Sequence, residues 1–129
     1  MKLVFSSSGL KAGPLPLGKD HYIDARAIPD PTQFGKGGGS VYTPPFGVTG
    51  KDPKLQAWMR DVAPIKAYVE VVKGMLATLG KRRENNPNKH ITDPVTIHTF
   101  CAWGVHRSVA LKHILAREFE LMGYVVEVE

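Results

Sequence analysis

The chain has 129 residues, 43% hydrophobic and 22% charged, with a net charge of +5 at neutral pH. That length suits one domain with a real core, spanning residues 1–129, and the balance of apolar and charged residues excludes wholesale disorder and fibrous repeats. No apolar run approaches the roughly 18 residues a membrane-crossing helix needs, which excludes a membrane partner of that kind.

Residues 1–5 meet Ser6, Ser7 and Ser8 too soon for a signal peptide, so a cytoplasmic protein is expected. The positive balance favours anionic partners. One cysteine, Cys101, rules out an internal disulfide, and no metal framework is visible, so neither metal nor cofactor is expected.

Residues 2–6 read as a first strand, and Ser6-Ser7-Ser8-Gly9 with Gly13, Pro14, Pro16 and Gly18 reads as loop. Residues 22–25 form the second strand. A long irregular loop is expected over 30–50, where Pro29, Pro31, Pro44, Pro45 and Pro53 flank or interrupt the cluster Gly35, Gly37, Gly38 and Gly39. Asp52 and Pro53 are a cap and a first helical residue, after which Leu55, Trp58, Met59 and Val62 share a face.

Pro64 opens a second helix with the apolar stripe Ile65, Tyr68, Val69, Val72, Leu76 and Leu79, ending at Gly80. Residues 81–90 are polar and read as a solvated connector. Residues 95–100 are β-branched and apolar enough for a core strand. Val109, Leu111, Ile114, Leu115, Phe119 and Met122 stripe a helix over 108–122 that Gly123 closes, and residues 124–128 form a last strand. Strand, helix and strand in about 35 residues predict a βαβ crossover. The expected fold class is α/β, a single domain with a largely parallel or mixed sheet flanked by helices.

Between the core strand and the last helix lie Phe100, Cys101, Ala102, Trp103, Gly104, Val105, His106, Arg107 and Ser108, spaced C-x-x-G-x-x-R-S. Such a turn carries free amides and the positive end of a helix dipole, which together attract an anion. Gly104 lets consecutive amides turn inward, and Arg107 adds a planar fork for two phosphate oxygens. Ser108 is placed to cap the helix or to bond Cys101 or the anion, and His106 is a second donor. Trp103 is the exception among the aromatic residues, because its place in a loop exposes it unless it stacks on a ligand or partner. Trp58 and Tyr68 are expected in the core.

Three blocks in order carry a family resemblance. Residues 24–31, Asp24-Ala25-Arg26-Ala27-Ile28-Pro29-Asp30-Pro31, match a D-x-R-x-x-P-N-P segment. Thr49-Gly50-Lys51-Asp52 matches T-G-x-D, and residues 101–109 match a G-C-T-G-G-x-H-R-S-V loop. In these blocks the chain resembles the RapZ C-terminal domain family. The resemblance implies an α/β domain that holds a phosphorylated metabolite in that loop, with glucosamine-6-phosphate as the implied ligand, and it implies small regulatory RNA and a homo-oligomer as further partners. The site it implies comprises Asp24, Arg26, Thr49, Gly50, Asp52 and residues 101–108.

Here Ala102-Trp103 stands where the family has Thr-Gly, Thr32 stands where a histidine is frequent, Gly35 to Gly39 reads as an insertion, and no G-x-x-x-x-G-K-[ST] loop or basic tail is present. Asp24 and Arg26 also fit a salt bridge that anchors the long loop, and Thr49 and Asp52 fit a helix cap.

The same loop is similar to the protein tyrosine phosphatase signature H-C-x-x-G-x-x-R-[ST], with Phe100 in the histidine position. That likeness implies Cys101 as a thiolate nucleophile, Arg107 as the phosphate clamp, and Asp30 or Asp93 as the acid for the leaving oxygen. The expected function is binding of a sugar phosphate or nucleotide in a sensing or adapter role without a catalytic residue. The alternative is a cysteine-dependent phosphatase.

Overall fold

A computed structural model describes residues 2–29, 50–86, 93–103 and 106–129. The long loop expected over 30–50, apart from Gly50, lies outside the described residues, as do Asp30, Thr49, Gly104 and Val105. The strands are β1 (Lys2–Gly9), β2 (His21–Asp24), β3 (Val95–Cys101) and β4 (Val125–Val128), and the helices are α1 (Pro53–Val62), α2 (Ile65–Glu84) and α3 (Arg107–Leu121). A short 3-10 turn, Leu10–Ala12, follows β1. The sheet order is β2-β3-β1-β4, and every pairing is parallel. This is the expected α/β class, with the turn of interest between β3 and α3.

The connections from β2 to β3 and from β3 to β4 step across the sheet in one direction, so right-handed crossovers put their helices on one face. Alternation along the strands then selects that face. Leu3 and Phe5 of β1, Ile23 of β2, and Val95, Ile97 and Cys101 of β3 share a core with Met59, Val72, Leu76, Ala110, Leu111, Ile114, Leu115 and Phe119. The other face carries Val4, Ser6, Ser8, Tyr22, Thr96, His98 and Phe100. Residues 10–20 lie against part of it, since the Tyr22 hydroxyl donates to the Pro16 carbonyl at 2.6 Å.

Helix ends follow local chemistry. The Asp52 carboxylate accepts from the Lys54 amide at 2.8 Å, with Pro53 at the first helical position. At the far end of α3, Gly123 takes φ of 99°, a left-handed geometry that lets the Tyr124 amide turn back to the Phe119 carbonyl at 3.1 Å.

Two expectations are corrected. Ser6, Ser7, Ser8 and Gly9 are strand, not loop: they pair with His98, Thr99, Phe100 and Cys101, and the polar side chains of Ser6 and Ser8 are satisfied by a histidine opposite. The second helix continues past Gly80 to Glu84, and Arg83 is buried at 4% exposure rather than solvated, because its guanidinium donates to the carbonyls of Asp93 and Pro94.

Candidate functional site

Parallel strands deliver all four of their carboxyl ends to one edge of the sheet, where ligands of open α/β sheets collect. At this edge β1 leads to Lys11, β2 to Asp24 and Arg26, and β3 to Cys101 and the turn into α3. The first amides of α3 have no intrahelical partner and sit at the positive end of its dipole.

Arg107 is the first residue of α3, and its Nη1 donates to the Arg26 carbonyl at 2.8 Å and to the Ile28 carbonyl at 3.4 Å. The guanidinium therefore ties the segment after β2 to the start of α3 and is fixed in place. Asp24 and Arg26 pair with each other: the carboxylate receives Nε at 2.9 and 3.0 Å and Nη2 at 2.7 Å, besides the Arg26 amide at 2.9 Å. The Arg26 hydrogen bond, reinforced by the charge of Arg107, holds the Asp24 carboxyl below the usual carboxylate range despite the opposing effect of burial. Arg26 also lies over the Phe100 ring, 5.6 Å from its centroid.

Cys101 and Ser108 come together at the foot of the turn. Cys101 is 2% exposed, and its Sγ donates to the Ser108 hydroxyl at 3.2 Å, which itself donates to the Ser8 carbonyl at 3.3 Å. The Thr99 hydroxyl donates to the Ser108 carbonyl at 2.7 Å. This buried relay of thiol and hydroxyls fastens the first turn of α3 to the ends of β1 and β3. Asp93 precedes β3 while Cys101 ends it, so about 25 Å of extended chain separates them. The structure thus removes Asp93 as the acid beside the thiol.

His106 holds the position before α3 without a side-chain bond to its first amides, and its carbonyl accepts from the Ala110 amide at 2.9 Å. Gly50 lies against this turn: a Cβ there would collide with the Ala110 nitrogen and the His106 oxygen. The Gly50 carbonyl accepts from the Gln56 side chain at 2.9 Å, so the 50–52 stretch joins the start of α1 to the start of α3. Ala102 accepts the Lys11 amide at 2.9 Å, and Trp103 is exposed with the Lys11 ammonium 5.0 Å from its ring centroid.

Against this geometry, the model of the RapZ C-terminal domain matches residues 1–129. A nucleotide-binding protein of Aeromonas hydrophila subsp. hydrophila is 32% identical over 126 residues, covering 98% of this chain and 39% of the relative. A nucleotide-binding protein of Colwellia psychrerythraea is 30% identical over 119 residues, covering 92% of this chain and 37% of its own. The chain belongs to the RapZ C-terminal domain family. It spans less than half the length of these relatives.

Within this RapZ C-terminal domain, sequence reasoning overlooked one cluster behind the site. His98 is 2% exposed, its Nδ1 2.8 Å from the Ser6 hydroxyl and its Nε2 2.6 Å from that of Ser8. The register Ser6↔His98 makes this contact, and the only trace of it in sequence is the alternation of Ser6 and Ser8 along one strand face. Lys112 was overlooked too. It is buried in α3 with Nζ donating to the Glu129 carbonyl at 2.8 Å, and burial, then the neighbouring charge of Lys51, lower its pKa against the opposing pull of Glu129. Among the described residues no His, Cys, Asp or Glu cluster has metal-holding geometry, and no helix is long and apolar enough to cross a membrane.

Proposed function

We propose that the chain binds a phosphorylated small molecule, a sugar phosphate or a nucleotide, at the turn between β3 and α3, in a sensing or adapter role. One observation carries the reading: the amino end of α3 meets two guanidinium groups at the carboxyl edge of the parallel sheet. Arg107 is braced by the Arg26 and Ile28 carbonyls, and Arg26 by Asp24. Preset donors lose little freedom when a phosphate arrives, so the binding energy is not consumed by ordering them. The name of the relatives supports nucleotides as one ligand class, and the family resemblance supports sugar phosphates.

Site residues in this reading are Asp24, Arg26, Thr49, Gly50, Asp52 and residues 101–108. Arg26 and Arg107 face the anion, Gly50 and Asp52 position α3 through α1, and the thiol of Cys101 supports the turn. A cytoplasmic setting keeps that thiol reduced.

Calorimetry with inorganic phosphate, glucosamine-6-phosphate and AMP tests the proposal on wild type, Arg107→Ala and Arg107→Lys. Loss of a charge-assisted contact costs about 1.5–3 kcal/mol, so Arg107→Ala binds roughly ten- to a hundredfold more weakly, and Arg107→Lys falls between. Equal affinities in all three proteins would overturn it. Hydrolysis of an aryl phosphate that vanishes in Cys101→Ser would favour the phosphatase alternative, and a salt-sensitive gel shift would add RNA as a partner.

A further inference from the structure

Trp103 is 66% exposed at the rim of the proposed anion site. An indole of this size left in water forgoes burial that an ordinary surface residue would not miss. Its surroundings hold it in position. The Lys11 amide donates to the Ala102 carbonyl immediately before it, and the Lys11 ammonium lies over the ring at 5.0 Å. The 3-10 turn after β1 thus fixes both the backbone beside the indole and a cation on it. Arg26 over Phe100 places a second cation and aromatic ring at the same edge.

A flat π-face next to a phosphate site favours a ligand with a flat face of its own. Nucleobases stack on exposed indoles over their whole π-face, and nearby cations add to the attraction, whereas a sugar ring lays only its C–H face on an indole and has no π-system for the cations to meet. Trp103 and Arg107 are four residues apart, so at most about 14 Å of chain separates them, which keeps the indole within a nucleotide's reach of the guanidinium. Trp103 also occupies a position where the family motif has glycine, so the platform belongs to this chain rather than to the motif.

We infer that Trp103, with Lys11 across its ring, is a stacking platform for a nucleobase, and that the site takes a nucleoside phosphate in preference to a sugar phosphate. The inference rests on the proposed phosphate site at α3. The recognised chemistry is a base bearing a phosphate, whether a free mononucleotide or an unpaired nucleotide of RNA.

Calorimetry on the full chain with AMP, ribose 5-phosphate and a short oligoadenylate, using wild type, Trp103→Ala, Trp103→Phe and Arg107→Ala, tests it. Wild type binds AMP about tenfold or more tightly than ribose 5-phosphate, as one base stack provides. Trp103→Ala weakens AMP far more than ribose 5-phosphate and so erases that difference, while Trp103→Phe keeps part of it. Equal affinity for the two ligands in wild type, or equal weakening of both by Trp103→Ala, overturns the platform while the phosphate site stands. AMP binding that survives Arg107→Ala unchanged overturns the phosphate site and this inference with it. Oligoadenylate that displaces AMP only when Trp103 is present supports RNA as the source, and AMP binding that oligoadenylate leaves intact supports the free nucleotide.

Discussion

At the scale of single residues, His98 shows how a strand tolerates polar side chains in a buried position. Each ring nitrogen has a serine hydroxyl, one nitrogen donating and the other accepting in the neutral ring, so the imidazole is satisfied without charge. Burial first, then the charges of Lys19 and Lys112, push its pKa below the ordinary histidine value, against a smaller opposing effect of Glu129. The unfolded chain therefore takes up a proton before the folded one does as pH falls. Stability from this group is fully present above the ordinary value of about 6.5 and is lost as pH drops through it towards the depressed folded value. His21 and His113 are shifted in the same direction by burial and add to the trend. The melting temperature is expected to fall between pH 7 and pH 5, and His98→Gln, which keeps hydrogen bonding but cannot titrate, flattens that slope. His98→Ala strands the buried Ser6 hydroxyl and opens a cavity, at a cost of about 2–4 kcal/mol, measured by urea unfolding at pH 7.5.

Among elements, the start of α3 is set by its neighbours as much as by its own residues. Gly50 is glycine for want of space: its would-be Cβ meets backbone atoms of His106 and Ala110, and lies 2.9 Å from the Val109 carbonyl carbon. Backbone cannot swing aside as a side chain can, so Gly50→Ala must push the approach to α1 away from α3. The expected result is a loss of about 1–3 kcal/mol in urea unfolding together with weaker AMP binding, since the displaced turn carries the amides and Arg107. Periodicity made the helices legible, and the apolar β-branched run made β3 so; α3 begins at Arg107 and β3 ends at Cys101, within a residue of where their patterns break. What sequence could not show was partnership at long range. Ser6 and Ser8 look like loop until His98 lies opposite, and Arg83 looks solvated until the carbonyls before β3 surround it. Cys101 with Ser108, and Asp24 with Arg26, were legible because their partners are close in sequence. The contact of Gly50 with α3 had no local sign at all.

For the molecule as a whole, the parallel sheet sets the proposed ligand site and a structural latch on opposite edges. The carboxyl edge gathers Lys11, Arg26 and Arg107 with the amino end of α3. The amino edge is held by a buried latch: the Asp20 amide donates to the Thr96 carbonyl at 3.0 Å and its carboxylate accepts the Thr96 amide at 2.9 Å, while Arg83 reaches the carbonyls of Asp93 and Pro94 and lies 3.9 Å from that carboxylate. The latch joins the last turn of α2 to the entry of β3 and to the residue before β2, so it closes the crossover between those strands. Arg83→Met removes the donors and leaves two buried carbonyls and a carboxylate with less to face. A broken buried pair of this kind costs about 3–5 kcal/mol, and the separation of 3.9 Å places this case towards the lower figure. Because the proposed ligand edge lies a full strand length away, the dissociation constant for AMP, measured well below the melting temperature, is expected to remain that of wild type. Arg107→Ala should show the reverse: AMP binding weakened roughly ten- to a hundredfold, with the urea midpoint moved less than in Arg83→Met. Stability and binding shifting together in both variants would mean that the two edges are coupled through β3 rather than independent.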